Sequence, residues 1–190
     1  MLYSIFIEVL SVSADLVYLF YIVELYTDPL DVTPSREIVD IVADAILNPN
    51  KTRPTGELFI GTIAQQSVFK KEFNAVADVN HGRFWARFVE VTSATARHHF
   101  IDEFPRYFEA IVEQAHVRQT RSIPNFDDYL SVRRRDVAVY TFFPLIGSAF
   151  ELPDEVYYHP VVVELSLLAV DMIIIDNVRC SMFITSGVHL

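Results

Sequence analysis

Two pairs of oxygen-bearing side chains and one run of arginines are the parts of this sequence that could do chemistry. Glu24 and Asp28 stand four residues apart near the end of an apolar, aromatic stretch, Asp15 to Pro29. On a helix that spacing puts both carboxylates on one face, a turn apart, where they can share a hard cation or bracket an anion through it. Phe20 and Tyr21, one turn earlier, place aromatic rings on or beside that face, which suits a ligand with a charged head and an apolar tail. Asn177 and Ser181 repeat the spacing late in the chain and offer a second wall of oxygen ligands for a magnesium ion. Between the two pairs lies Arg133-Arg134-Arg135, the densest positive charge of the sequence and fit for bidentate recognition of phosphate oxygens. Taken singly, each motif is also what a capped helix end or a solvated face looks like.

Composition narrows the choice. The 190-residue chain carries a formal charge of −10 and a pI near 4.9, the wrong sign for nucleic acid, whose phosphates call for a basic footprint. An acidic protein that handles an anion needs a local cationic patch or metal ions. A single cysteine, Cys180, excludes an internal disulfide framework and a cysteine-built zinc site, and suits a reducing, cytoplasmic setting. His98 and His99 are adjacent, so on a helix they diverge by about 100° and cannot both face one metal; they read as structural. Gly-rich phosphate loops, nucleophile elbows and His-Glu-x-x-His motifs are absent from the sequence. Glu8 and Asp15 interrupt the apolar start, and Glu164 and Asp171 the apolar end, before a membrane span accumulates.

The elements that must position these residues are helices. Pro29 closes the first, Thr33-Pro34 reads as the cap and first position of the second, and Ile38, Val39, Ile41, Val42, Ala45 and Ile46 give it an apolar face. A loop over 48–56 precedes helical stretches at 57–79 and 83–121, the latter expected to kink or divide at Pro105. Helix is also expected over 126–149, carrying the arginines, and from Pro160 to about Ile184. The sum is one all-α domain.

The order of these parts resembles the class I terpene synthases of fungi, specifically basidiomycete-type sesquiterpene cyclases. The likeness runs from about residue 15 to 177. It passes through Tyr26-Thr27-Asp28, the loop Arg53-Pro54-Thr55-Gly56-Glu57, Ile101-Asp102, Ala110 to Ala115, Ile123-Pro124, Arg133-Arg134, Leu152-Pro153-Asp154-Glu155-Val156, His159-Pro160 and Asp171-Met172-Ile173-Ile174. The resemblance implies a helical bundle around an apolar pocket, in which Mg2+ ions bind the diphosphate of a prenyl substrate, usually farnesyl diphosphate. It places the aspartate-rich metal motif on Glu24 to Asp28 and the second metal motif on Asn177 to Thr185. The diphosphate-sensing arginine would be Arg133 or Arg134, with Asp136 coupling it to ionisation.

The departures from that pattern are specific. Glu24 replaces the leading aspartate, Leu25 the next acid, and Thr185 the ligating glutamate of the second motif, while Arg179 adds positive charge beside it. Residues 1–14 and 178–190 show no likeness, so the expectation is a partial bundle, incomplete at both ends, with apolar faces open to self-association or aggregation. Two readings follow: a sesquiterpene synthase of impaired activity, or an inactive relative that at most binds diphosphate or partners.

Overall fold

The computed structural model describes residues 2–48, 50–66, 84–147 and 152–186, with side chains over 7–48, 50–65, 87–147 and 152–180. Within them every regular element is helical: α1 Leu2–Thr27, α2 Val32–Leu47, α3 Phe59–Gln66, α4 Phe84–Val91, α5 Ala94–Thr120, α6 Phe126–Asp136, a 3-10 turn Val139–Thr141, α7 Phe143–Gly147, α8 Asp154–Tyr157 and α9 Pro160–Ser186. The expected all-α class is what the chain adopts.

The core forms where α1, α2 and α5 meet. Val12, Leu16, Leu19, Phe20 and Val23 recur at helical spacing and make the buried face of α1, and Ile38, Val39, Val42, Ala45 and Ile46 that of α2. From α5, Phe100, Phe104 and Phe108 stand four apart and form a ladder, Phe100 stacked on Phe104 with centroids 5.0 Å apart and Phe104 edge-on to Phe108 at 4.6 Å. Phe20 enters this ladder, 4.4 Å from the Tyr107 ring and 6.1 Å from Phe104. Each buried aromatic contributes about 1.5–3 kcal/mol by leaving water, so the pitch of α1 against α5 is set a single turn before the acidic pair. By length and composition Ile7–Thr27 could cross a membrane. Here, however, its core residues face protein, and Asp15, midway along, pairs with Arg87 of α4.

The boundaries differ from the sequence expectations in three places. Helix α2 starts at Val32 with Asp31 as its N-cap, so Thr33 and Pro34 sit inside the first turn, where a missing N–H costs nothing. The long helical stretch divides at Thr92-Ser93 and not at Pro105. The Ser93 hydroxyl accepts from the Ala96 N–H at 3.1 Å, a cap that starts a new helix, and α5 then runs through Pro105 without interruption. The stretch 126–149 is broken after Asp136. Ala138 takes a left-handed conformation (φ 61°), and Pro144, which cannot donate, belongs at the start of a separate helix, α7. Residues 67–83, which include most of the expected 57–79 helix, lie outside the described residues.

Helix α9 docks through Val170 and Ile174 and through Asp171, whose carboxylate takes two 2.7 Å hydrogen bonds from Arg134. Val161, Leu165, Leu168, Met172 and Ile175 remain exposed along it. His99 is buried, stacked on Tyr157 with 3.7 Å between centroids and 2.9 Å from Asp154, so it anchors α8 to α5.

The loop between α2 and α3 is closed by Arg53, only 9% exposed, which donates to Asp44 at 2.7 Å and to Glu57 through two further N–H groups. Gly61 lies directly beneath this clip: a Cβ there would come within 2.3 Å of Glu57 Oε2 and 2.8 Å of Ile41. Gly61→Ala is therefore expected to cost about 1–3 kcal/mol through overpacking, read as a lower midpoint in urea unfolding. An unchanged midpoint would mean that the loop moves aside freely.

Candidate functional site

The C-terminal end of α1 abuts the middle of α5 and the last turn of α6. There Glu24 and Thr27 of α1, Asp28 just after it, Ile111 and Gln114 of α5, and Arg133 and Asp136 of α6 line one pocket of about 140 Å³. Helix α6 is well built for its part: Asn125 caps it, Asp127 and Asp128 occupy its first turn, and the three arginines its last, each matching the helix dipole. The three arginines diverge around the helix. Arg133 turns to the pocket, donating to Asp136 at 2.9 Å and to Asn177 of α9 at 2.8 Å. Arg134 is held by Asp171, away from the pocket, and Arg135 by Glu113 at 2.6 Å.

Three carboxylates thus crowd around one guanidinium. Burial, with the neighbouring charges of Asp28 and Asp136, pushes Glu24 up to about 7 despite the nearby Arg133. Burial likewise raises Asp136 to about 6, against the pull of Arg133. Asp136 Oδ2 is buried without a hydrogen-bond partner, and so is the Tyr107 hydroxyl, which lies close enough to Glu24 to influence its titration. Among the described residues no three His, Cys, Asp or Glu side chains close into a ready-made metal cage. The donor set nonetheless suits Mg2+, which is commonly held by one or two carboxylates and completed by water and phosphate oxygens. Acids whose mutual repulsion and burial raise their pKa values are stabilised by an added dication.

The structure therefore gathers Glu24, Asp28, Arg133 and Asp136 at one pocket and joins Asn177 to them through Arg133. It does not bring Arg134 there. Phe20 is core, whereas Tyr21 is 69% exposed on α1. The side chains of Ser181 and Thr185 lie outside the described residues.

A sequence profile described as "Terpene synthase family 2, C-terminal metal binding" matches residues 57–182, more than half of the chain. The chain belongs to terpene synthase family 2. Delta(6)-protoilludene synthase 18 of Postia placenta is 37% identical over 170 residues, covering 90% of this chain and 44% of that protein. Sesquiterpene synthase 14 of the same fungus is 36% identical over 171 residues, with 90% and 44% covered. The Delta(6)-protoilludene synthase of Cyclocybe aegerita is 33% identical over 174 residues, with 92% and 24% covered. This terpene synthase chain spans less than half the length of the curated relatives it matches.

Sequence reasoning missed four pocket neighbours. Thr27, Ile111 and Gln114 line the pocket, and Arg118 of α5 reaches the end of α1. Spacing could not have found Ile111, Gln114 and Arg118, because the pocket is assembled from helices far apart in sequence. Thr27, Ile111 and Gln114 do fall inside segments that carry the resemblance.

The raised acids link stability to pH. A carboxyl whose pKa is raised by folding contributes stability that is complete below its unfolded value and lost as pH rises through the folded one, here about 7 for Glu24. Glu24→Gln is expected to match wild type in thermal unfolding at pH 4 and to exceed it at pH 8, by about 1 kcal/mol. Superimposable pH profiles would show that the Glu24 carboxylate is solvated.

Proposed function

We propose that this chain carries the diphosphate-ionising site of a sesquiterpene synthase, acting with Mg2+ on farnesyl diphosphate. The observation that supports it is the convergence of Glu24, Asp28 and Asp136 with Arg133 on a single pocket. Glu24 and Asp28 would hold Mg2+, which when bound offsets the charge of the diphosphate and so eases heterolysis of the allylic C–O bond. Arg133 presents its guanidinium, oriented by Asp136, to the departing diphosphate, where N–H groups fixed beforehand stabilise the charge that develops. Asp136 is a positioning group in this scheme: its Oδ1 fixes the fork of Arg133 and its buried Oδ2 is left to accept. The apolar tail would run along α1, where Val17 and Tyr21 are exposed within about 60° of Glu24 around the helix. An aromatic face there favours a carbocation by cation–π attraction.

A second reading, diphosphate binding without turnover, is favoured by two substitutions. Leu25 and Thr185 remove acids from the two metal motifs, and Asn177 is already engaged by Arg133. Incubation with farnesyl diphosphate and Mg2+ separates the readings: the first predicts diphosphate release and a volatile hydrocarbon or alcohol. Binding without either product at high protein concentration would leave the second.

The two candidate arginines are expected to part company. Arg133→Ala should lower diphosphate release by about 100-fold or more. Arg134→Ala should stay within about tenfold of wild type but unfold at lower temperature, because it loses the bidentate tie to Asp171. The opposite ranking in a single-turnover release assay would assign the sensor role to Arg134.

A further inference from the structure

Helix α1 ends in an electrostatically awkward way. Its last turn contains no basic residue, its last carbonyls carry the negative end of the helix dipole, and Glu24 and Asp28 add two carboxylates at that same end. The compensating charge comes from α5. Arg118 Nη2 donates to the Thr27 carbonyl at 3.2 Å, and its Nη1 lies 4.0 Å from Asp28 Oδ1. The adjacent Gln119 accepts from the Val32 N–H at 3.3 Å, so one turn of α5 grips both the end of α1 and the start of α2. The Thr27 carbonyl also accepts from the Leu30 N–H at 3.0 Å and from the Ser35 hydroxyl at 3.4 Å.

Among the described residues, Arg118 is the one cation within 4.0 Å of Asp28, because Arg133 is turned to Asp136 and Asn177. The pair is loose and partly solvated, with Arg118 37% and Asp28 67% exposed. A guanidinium held by a backbone carbonyl, within reach of a carboxylate it does not clamp, can neutralise that carboxylate yet give it up.

We propose that Arg118 is a positioning residue that stands in for a dication at Asp28, holding the acidic end of α1 in place and yielding the carboxylate when an ion binds. The inference rests on the reading of Glu24 and Asp28 as ion ligands. Arg118 then competes with the ion, so removing its charge strengthens ion binding while removing its hydrogen bond weakens the fold. A purely structural arginine would do only the second.

The test is titration of the full chain with Mn2+ alone, following the free ion by electron paramagnetic resonance, in parallel with thermal unfolding. Arg118→Gln keeps a donor for the Thr27 carbonyl and is expected to bind Mn2+ about two- to fivefold tighter at low ionic strength, the range for a solvated ion pair. In 0.5 M KCl, where the ionic screening length falls to a few Å, that difference should disappear. Arg118→Lys, which retains the charge, should stay within twofold of wild type. Wild-type binding with Arg118→Gln unchanged or weaker would overturn the inference and leave the site reading standing. No Mn2+ binding by the folded wild type would overturn both.

Discussion

Carboxylates gathered at the C-terminal end of a helix repel one another and the helix dipole at once. In this chain that unfavourable arrangement is placed at the end of α1 and held there by two arginines from other helices, Arg133 of α6 and Arg118 of α5. The raised acids Glu24 and Asp136 measure what remains uncompensated. Such strain is tolerable only if the surrounding fold is fixed by something stronger, and that is the aromatic packing one turn away. Phe20 lies in the same helix as Glu24, and its contacts with Tyr107 and Phe104 are with the helix that also supplies Ile111, Gln114 and Arg118.

Helix α5 is in this sense the mast of the molecule. Its inward face carries the Phe100, Phe104 and Phe108 ladder, its start anchors α8 through His99, and its end grips the α1–α2 turn through Arg118 and Gln119. Tyr107 joins the two roles: its ring belongs to the core and its buried hydroxyl to the electrostatics of Glu24. Site and core are therefore one continuous packing problem. A change that tilts α1 against α5 moves Glu24 and Asp28 relative to Arg133 before it exposes any apolar surface.

Much of this was legible in the sequence, for identifiable reasons. Helical periodicity marked the buried face of α2, and four-residue spacing marked the Glu24 and Asp28 pair, because both are local properties of one helix. What was not legible is what depends on the meeting of helices. The sequence could not say which of three adjacent arginines faces the pocket; their 100° divergence sends Arg133, Arg134 and Arg135 to three different carboxylates, Asp136, Asp171 and Glu113. Nor could it single out Arg118 and Gln119, ordinary polar residues at the end of a long helix. Two boundary errors came from weighing punctuation wrongly. Pro105 sits on an exposed side of α5 and is accommodated, whereas Ser93 caps a new helix and Pro144 lies in the first turn of another.

The residues that stand where the resemblance places metal motifs take on a physical meaning against this charge balance. At the pocket, Glu24, Asp28 and Asp136 share Arg133, with Arg118 beside Asp28, so three acids, two of them raised towards neutrality, meet two permanent cations. With Leu25 uncharged beside Glu24, little negative charge is left over at the pocket to retain several dications by itself. On the proposed reading a diphosphate would have to bring its counterions with it, and the protein's part shifts from storing metal to orienting a metal–diphosphate pair against Arg133. That division of labour asks much of the α1–α5–α6 junction, where Asp136 holds Arg133 and the Thr27 carbonyl holds Arg118.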